Sequence, residues 1–199
     1  MYLEKNGTKN KVMSFKKYTL TEETKEVENG VKLHRVKYVS TQELGGWVES
    51  EENLSQKGLC RVMEEAMVYG GARVEKDATV FGNAVVKEEA NVSGGYVFEN
   101  AVICGHAKIS GDSQISGEAQ IGEYAKVNGG VVEGGVVNGY SQISGTAYVC
   151  GGEITGKVWV YGGTVQGGRL EGGIVSGGWV TGGVVKDWHQ ISVGMHFSD

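Results

Sequence analysis

The apolar positions of this chain repeat with a period that belongs neither to an α-helix nor to a two-sided β-strand. From Val62 an aliphatic residue returns every six positions, at Val62, Val68, Val74, Val80, Val86 and Val92, and a small residue follows the first five of them at Ala66, Ala72, Ala78, Ala84 and Ala90. This V-x-x-x-A-x beat continues, with occasional five-residue steps, through Val97, Ile103, Ile109, Ile115, Ile121, Val127, Val132, Val137, Ile143, Val149, Ile154, Val160, Val165, Leu170, Val175, Val180, Val185 and Ile191, making 24 aliphatic positions. A helix needs apolar residues three and four apart, and a half-buried strand needs every second one. Six residues make one short strand plus a corner, and three such sides close a triangular coil with its aliphatics inside. The 24 sides therefore predict about eight coils, stacked at ~4.8 Å per rung.

The shorter steps follow a rule. They mostly read V-x-G-G-x, as in Val92-Ser93-Gly94-Gly95-Tyr96, Val127-Asn128-Gly129-Gly130-Val131 and Val175-Ser176-Gly177-Gly178-Trp179. A glycine pair accepts positive φ and close backbone approach, so it turns the same corner with one residue fewer. This accounts for a composition of 34 Gly and no Pro, where average usage gives roughly 14 and 10. The glycines are not a flexible linker, because the aliphatic beat never stops. Nor do they form a phosphate loop, since none opens a helix after a strand.

Before the repeat, Ser14–Leu20 has strand character, 22–28 is charged, and Asn29-Gly30 signals a type I′ hairpin leading into Val31–Val39. Four segments follow: a basic tail and hairpin over 1–43, an irregular capping coil over 44–61 with Trp47 plugging the stack, the repeat over 62–191, and a tail over 192–199.

The residues flanking each inward aliphatic project outward. Every third side from Val62 then shares a face carrying Arg61/Met63, Thr79/Phe81, Tyr96/Phe98, Gln114/Ser116, Val131/Glu133, Tyr148/Cys150, Thr164/Gln166 and Trp179/Thr181. That face is rich in aromatics, and Phe81, Tyr96, Phe98, Val131, Tyr148 and Trp179 are its candidate binding residues. The face from Val68 is moderately apolar; the face from Val74 is mostly polar, with Arg73, Lys108 and Lys126 in one column. Large contiguous apolar faces imply coverage by the hairpin, by identical subunits or by another protein.

Charge narrows the function classes. The chain carries −5 overall, about +1 in 1–60 and −6 in 61–199. No concentrated basic face emerges, so nucleic acid is not an expected partner. The N-terminus lacks the apolar stretch of a secretory signal, and no apolar run is long enough to span a membrane. Cys60, Cys104 and Cys150 form no CxxC or Cys/His motif, so a reducing cytoplasm is the expected compartment and no metal site is expected. Each is read as an inert thiol without a basic neighbour. Among the four histidines, His106 is the one placed at a corner of the regular coils.

The period of about 18 residues with a small fifth position resembles the left-handed parallel β-helix of hexapeptide-repeat proteins. The segments KYTLTEETKEVENG and LGGWVESEENLS, with the V-x-G-N-A run at Val80–Ala84, resemble bacteriophage and prophage proteins related to YdcK-like bacterial β-helix proteins. The fold class expected is therefore all-β: a left-handed parallel β-helix of about eight triangular coils behind a small β-hairpin domain. Of function the resemblance implies less. Together with the flat apolar faces, it motivates a non-catalytic binding or scaffold protein, phage-encoded, that forms a homo-dimer or trimer and engages a host protein in a counter-defence or regulatory role through those faces, with no cofactor. The alternative it implies is an acyltransferase using acyl-coenzyme A, with His106 as general base. A third reading is a polymer built by stacking coil on coil.

Overall fold

The computed structural model describes residues 16–117, 119–123, 125–129 and 131–133 in full, and beyond them the later strands as far as Ile191, with side chains only at Val137, Ile143 and Val149. It is an all-β parallel β-helix preceded by an antiparallel hairpin. Twenty-four strands of two or three residues follow Cys60, and the second residue of each is one of the 24 aliphatic positions. They stack into three sheets: sheet I on the Val68 side, eleven-stranded because it includes the hairpin, and eight-stranded sheets II and III on the Val62 and Val74 sides. Val62, Val80, Val97, Ile115, Val132, Val149, Val165 and Val180 pair one above another in sheet II. Equivalent ladders run through the other two sheets.

The physical reason is the fit of V-x-x-x-A-x to a triangular coil. The valines and isoleucines fill the interior, and the alanines sit where the chain re-enters each strand. Val62, Ala66, Val68, Ala72, Val74 and Ala78 are all buried, as are their successors through Val127. Each buried Val or Ile contributes about 1.5–3 kcal/mol, and every coil shares that burial with its neighbours.

The hairpin consists of β1 (Tyr18–Glu26) and β2 (Lys32–Tyr38). Its turn has Asn29 at φ 59°, ψ 20° and Gly30 at φ 76°. Both residues hold the positive φ that the Asn-Gly pair predicts, but the pairing of Glu26 with Lys32 and the bond from the Val27 N–H to the Val31 carbonyl centre the hairpin on Asn29, so its loop has three residues, Glu28–Gly30. β1 runs on through the charged stretch as far as Glu26, because Thr24, Lys25 and Glu26 pair with His34, Leu33 and Lys32 after an irregularity that begins beyond Leu20. β3 (Leu44–Val48) is antiparallel to β2 and parallel to the first strand of the Val68 side, so the hairpin extends sheet I of the prism.

The end of the stack is closed differently from the expectation for Trp47. Val48, not Trp47, takes the inward register, and Trp47 pairs beside Met67 on the outer surface. Tyr18, Val36, Tyr38 and Leu54 belong to the prism's core cluster and fill its end. The Tyr38 hydroxyl accepts from the Val62 N–H (2.8 Å) and donates to the Val62 carbonyl (3.0 Å). The Tyr18 hydroxyl donates to the Leu54 carbonyl, and the two rings meet edge-on at 6.5 Å. Two tyrosines thus supply apolar bulk and satisfy polar groups that an open coil leaves without partners.

Candidate functional site

The register yields flat outer surfaces that differ in what covers them. On sheet I, Leu33, Trp47 and Tyr69 form a second buried cluster, with Val27, Val31, Met67 and Val85 packed against it. Ion pairs pin this contact: Glu28 meets the Lys87 ammonium at 3.1 Å and accepts from the Tyr69 hydroxyl. Glu65 accepts from Arg35 (2.8 Å), the Trp47 indole N–H (3.0 Å) and Lys25 (3.4 Å). Arg35 and Lys25 also stand over the Trp47 ring, at 4.7 and 5.6 Å. The Arg35 hydrogen bond, joined by those from Trp47 and Lys25, holds the Glu65 carboxyl below its usual range against the opposing effect of desolvation. The Lys87 hydrogen bond does the same for Glu28. The hairpin therefore covers the start of its own chain's apolar face.

Sheet II keeps its described aromatics, Phe81, Tyr96 and Phe98, on the outside. The Phe81 and Phe98 rings lie on successive rungs, parallel within 5° and 5.0 Å apart, a separation set by the rung spacing itself. Tyr96 projects from the opposite edge of the same strand as Phe98 and is 51% exposed. Val131, two rungs farther on, is half-buried. Tyr148 and Trp179 continue the Tyr96 column in the backbone pairing, and their side chains lie outside the described residues. Of the six candidate residues, Phe81, Tyr96 and Phe98 are thus brought into one patch. At its hairpin end, Arg61 lies 4.5 Å over the Tyr38 ring and pairs with Glu43 at 3.2 Å.

Sheet III is polar. Lys108 and Lys126 are exposed on adjacent rungs, with Ser110 beside Asn128 across the same pair of strands.

The corners carry a feature the sequence reading missed. Glu64, Lys76, Glu88, Glu99 and Glu123 all hold positive φ, between 51° and 62°. Four carboxylates accept backbone N–H groups one coil on: Glu49 from Gly70 (2.7 Å), Glu64 from Gly82 (2.9 Å), Glu88 from Gly105 (2.7 Å) and Glu99 from Gly117 (2.6 Å). Glu64, Gly82, Glu99 and Gly117 alternate down one edge, as do Gly70, Glu88, Gly105 and Glu123 down another. The signal was present as a Glu recurring two places after the aliphatic residue.

His106 stands exposed on the second of these edges, its backbone N–H bonded to the Glu123 carbonyl at 2.6 Å. Cys60 departs from expectation. It is fully buried, and the Lys17 ammonium donates to its sulfur at 3.1 Å and to its carbonyl at 2.8 Å. The thiol has a basic neighbour because Lys17, just before β1, is held against the 56–60 segment, where its backbone N–H also donates to Gln56 Oε1 at 2.9 Å. Cys104 is a free thiol whose pKa burial pushes up, and the Cys150 side chain lies outside the described residues. Among the described residues no group of three or more His, Cys, Asp or Glu is placed to hold a metal ion, and no helix is long and apolar enough to cross a membrane.

No protein-family model matches this chain and no curated protein matches it, so the reading of the exposed aromatic face rests on its geometry.

Proposed function

We propose that this protein is a non-catalytic binding and scaffold protein that offers the outer surface of sheet II to a second protein. The observation that supports this reading is the contrast between two apolar faces. The hairpin covers the start of sheet I, whereas Phe81, Phe98 and Tyr96 stay on the outside of sheet II. Rigid aromatic side chains dominate the energetics of protein interfaces, and a β-helix presents them with their spacing fixed by the rungs. On the phage resemblance, a host bacterial protein is the partner to look for, and the bacterial cytoplasm is the compartment in which to look for it.

The test compares tagged full-length chain with a Phe81→Ala/Tyr96→Ala/Phe98→Ala variant. Capture from bacterial lysate is read by mass spectrometry, and self-association by light scattering. A host protein retained by the unaltered chain and lost from the variant is the expected result. Recovery of the chain alone, in an assembly that the variant abolishes, replaces the hetero-partner with a second copy. Equal capture by both proteins removes the face from the mechanism.

A further inference from the structure

The edge between sheets III and II changes length from coil to coil. In the first coil it reads Lys76-Asp77-Ala78-Thr79, in the next Gly94-Gly95-Tyr96, and in the third Gly111-Asp112-Ser113-Gln114. Backbone bonds from the Thr79 N–H to the Gly95 carbonyl and from the Tyr96 N–H to the Ser113 carbonyl, both 2.8–2.9 Å, fix the alignment. Gly95 stacks on the level of Ala78 and Ser113, and Gly94 lies over Gly111. The residue missing from the short coil is therefore the one that would stand between Asp77 and Asp112.

Its absence leaves a cleft of about 270 Å³ whose lining includes Asp77, Asp112, Gly94, Gly95, Tyr96 and Lys76. Glycine is needed at the floor: Gly95 has φ +73° and a Cβ there would run into the Ser113 carbonyl, while one on Gly94 would meet the Gly111 carbonyl at 2.7 Å. Tyr96 leaves the floor directly, and its exposed side chain joins the cleft to the aromatic patch. Neither Asp77 nor Asp112 makes an ion pair among the described residues. They lie two rungs apart, so a cation centred between them is roughly 5 Å from each, within the range at which opposite charges act.

We propose that this notch receives an arginine side chain of the protein that docks on sheet II, its guanidinium lying between Asp77 and Asp112 and against the Tyr96 ring. This rests on the binding role proposed above and specifies the partner's chemistry. The volume is below the roughly 300–1,000 Å³ of small-molecule sites, which favours a single side chain. Arginine suits it better than lysine because a planar guanidinium stacks on an aromatic ring and forks toward carboxylates. Lys76 lies at the same edge and leaves the notch with one net negative charge, so its removal strengthens binding.

The experiment selects peptides from a displayed random library on the full-length chain and measures the affinity of the best synthetic peptide, its arginine-to-citrulline analogue and its arginine-to-lysine analogue. On the unaltered protein the citrulline change is expected to weaken binding about tenfold, with lysine intermediate. On Asp77→Asn/Asp112→Asn the citrulline change costs less than about twofold, and Lys76→Ser tightens the arginine peptide. Peptides that need Tyr96, Phe81 and Phe98 but ignore both the aspartates and the arginine overturn the notch and leave the face intact. Failure to enrich any peptide dependent on the aromatics counts against both. Circular dichroism of the Asn variant, expected to match the unaltered chain, separates lost recognition from lost fold.

Discussion

A left-handed backbone conformation costs an L-residue roughly 1–2 kcal/mol, yet the corners of this prism place glutamates there in preference to a glycine in every coil. The compensation is the carboxylate bond to a backbone N–H of the next coil, as from Gly117 to Glu99 at 2.6 Å. Two such glutamates on adjacent rungs would set like charges one rung apart, which is unfavourable. The following glycine also has to be small: a Cβ at Gly105 would lie 2.5 Å from the Glu123 backbone nitrogen. Alternation of Glu and Gly satisfies all three conditions. Glu99→Ala loses the hydrogen bond and keeps the strained φ of 57°, whereas Glu99→Gly loses the same bond and releases the strain. Urea unfolding should therefore find the glycine variant more stable than the alanine variant by about 1 kcal/mol. Equal stabilities would show that the corner imposes no strain. None of this was visible from the aliphatic beat, because the beat sets what points inward and is silent about how each corner residue meets φ.

The hairpin shows the same limit for a whole element. The position of its turn was legible, since Asn29-Gly30 accepts the positive φ a hairpin needs. Its docking was not, because Trp47 looks like a plug in sequence and is an outer-face residue in register, where Arg35, Lys25 and Glu65 surround it. The aromatics that close the prism, Tyr18 and Tyr38, come from hairpin strands whose inward side is defined only once β3 joins sheet I. Docking also carries a pH dependence with a definite sign. Glu65 and Glu28 have carboxyl pKa values lowered in the folded chain, so the stabilisation they provide is present above the unfolded carboxyl pKa of about 4.3. It is lost as pH falls through their lower folded values. The indole N–H resonance of Trp47, followed by NMR, should hold its folded position above pH 5 and shift toward its undocked position below about pH 4. Glu65→Gln should already show part of that shift at neutral pH and respond less to acid. An unchanged resonance in this variant would rule out Glu65 as the clamp.

For the whole molecule the sequence was most informative, because stacking imposes one register on every rung. All 24 aliphatic positions pair as their spacing predicts, and Phe81, Tyr96 and Phe98 reach their common face by counting alone. The notch beside Tyr96 is half-legible: the five-residue step reads as a turn with one residue fewer, but the gap between Asp77 and Asp112 emerges only when neighbouring coils are laid together. A stack in which each coil touches only the next also has distributed stability, so damage at one end should stay near that end. Tyr38 is the place to test this, since its hydroxyl serves both the N–H and the carbonyl of Val62. Tyr38→Ala leaves those groups and the end of the core without their partner, an effect of about 1–3 kcal/mol. Hydrogen exchange should then accelerate roughly 10- to 100-fold at the amides of Arg61, Val62 and Met63. The Cys104 and Lys108 amides, bonded to the Ile121 and Ala125 carbonyls two coils deeper, should keep their protection. Uniform acceleration at all five amides would mean that the prism opens as a single cooperative unit, and that the tyrosine cap sets the stability of the aromatic face as well as that of its own coil.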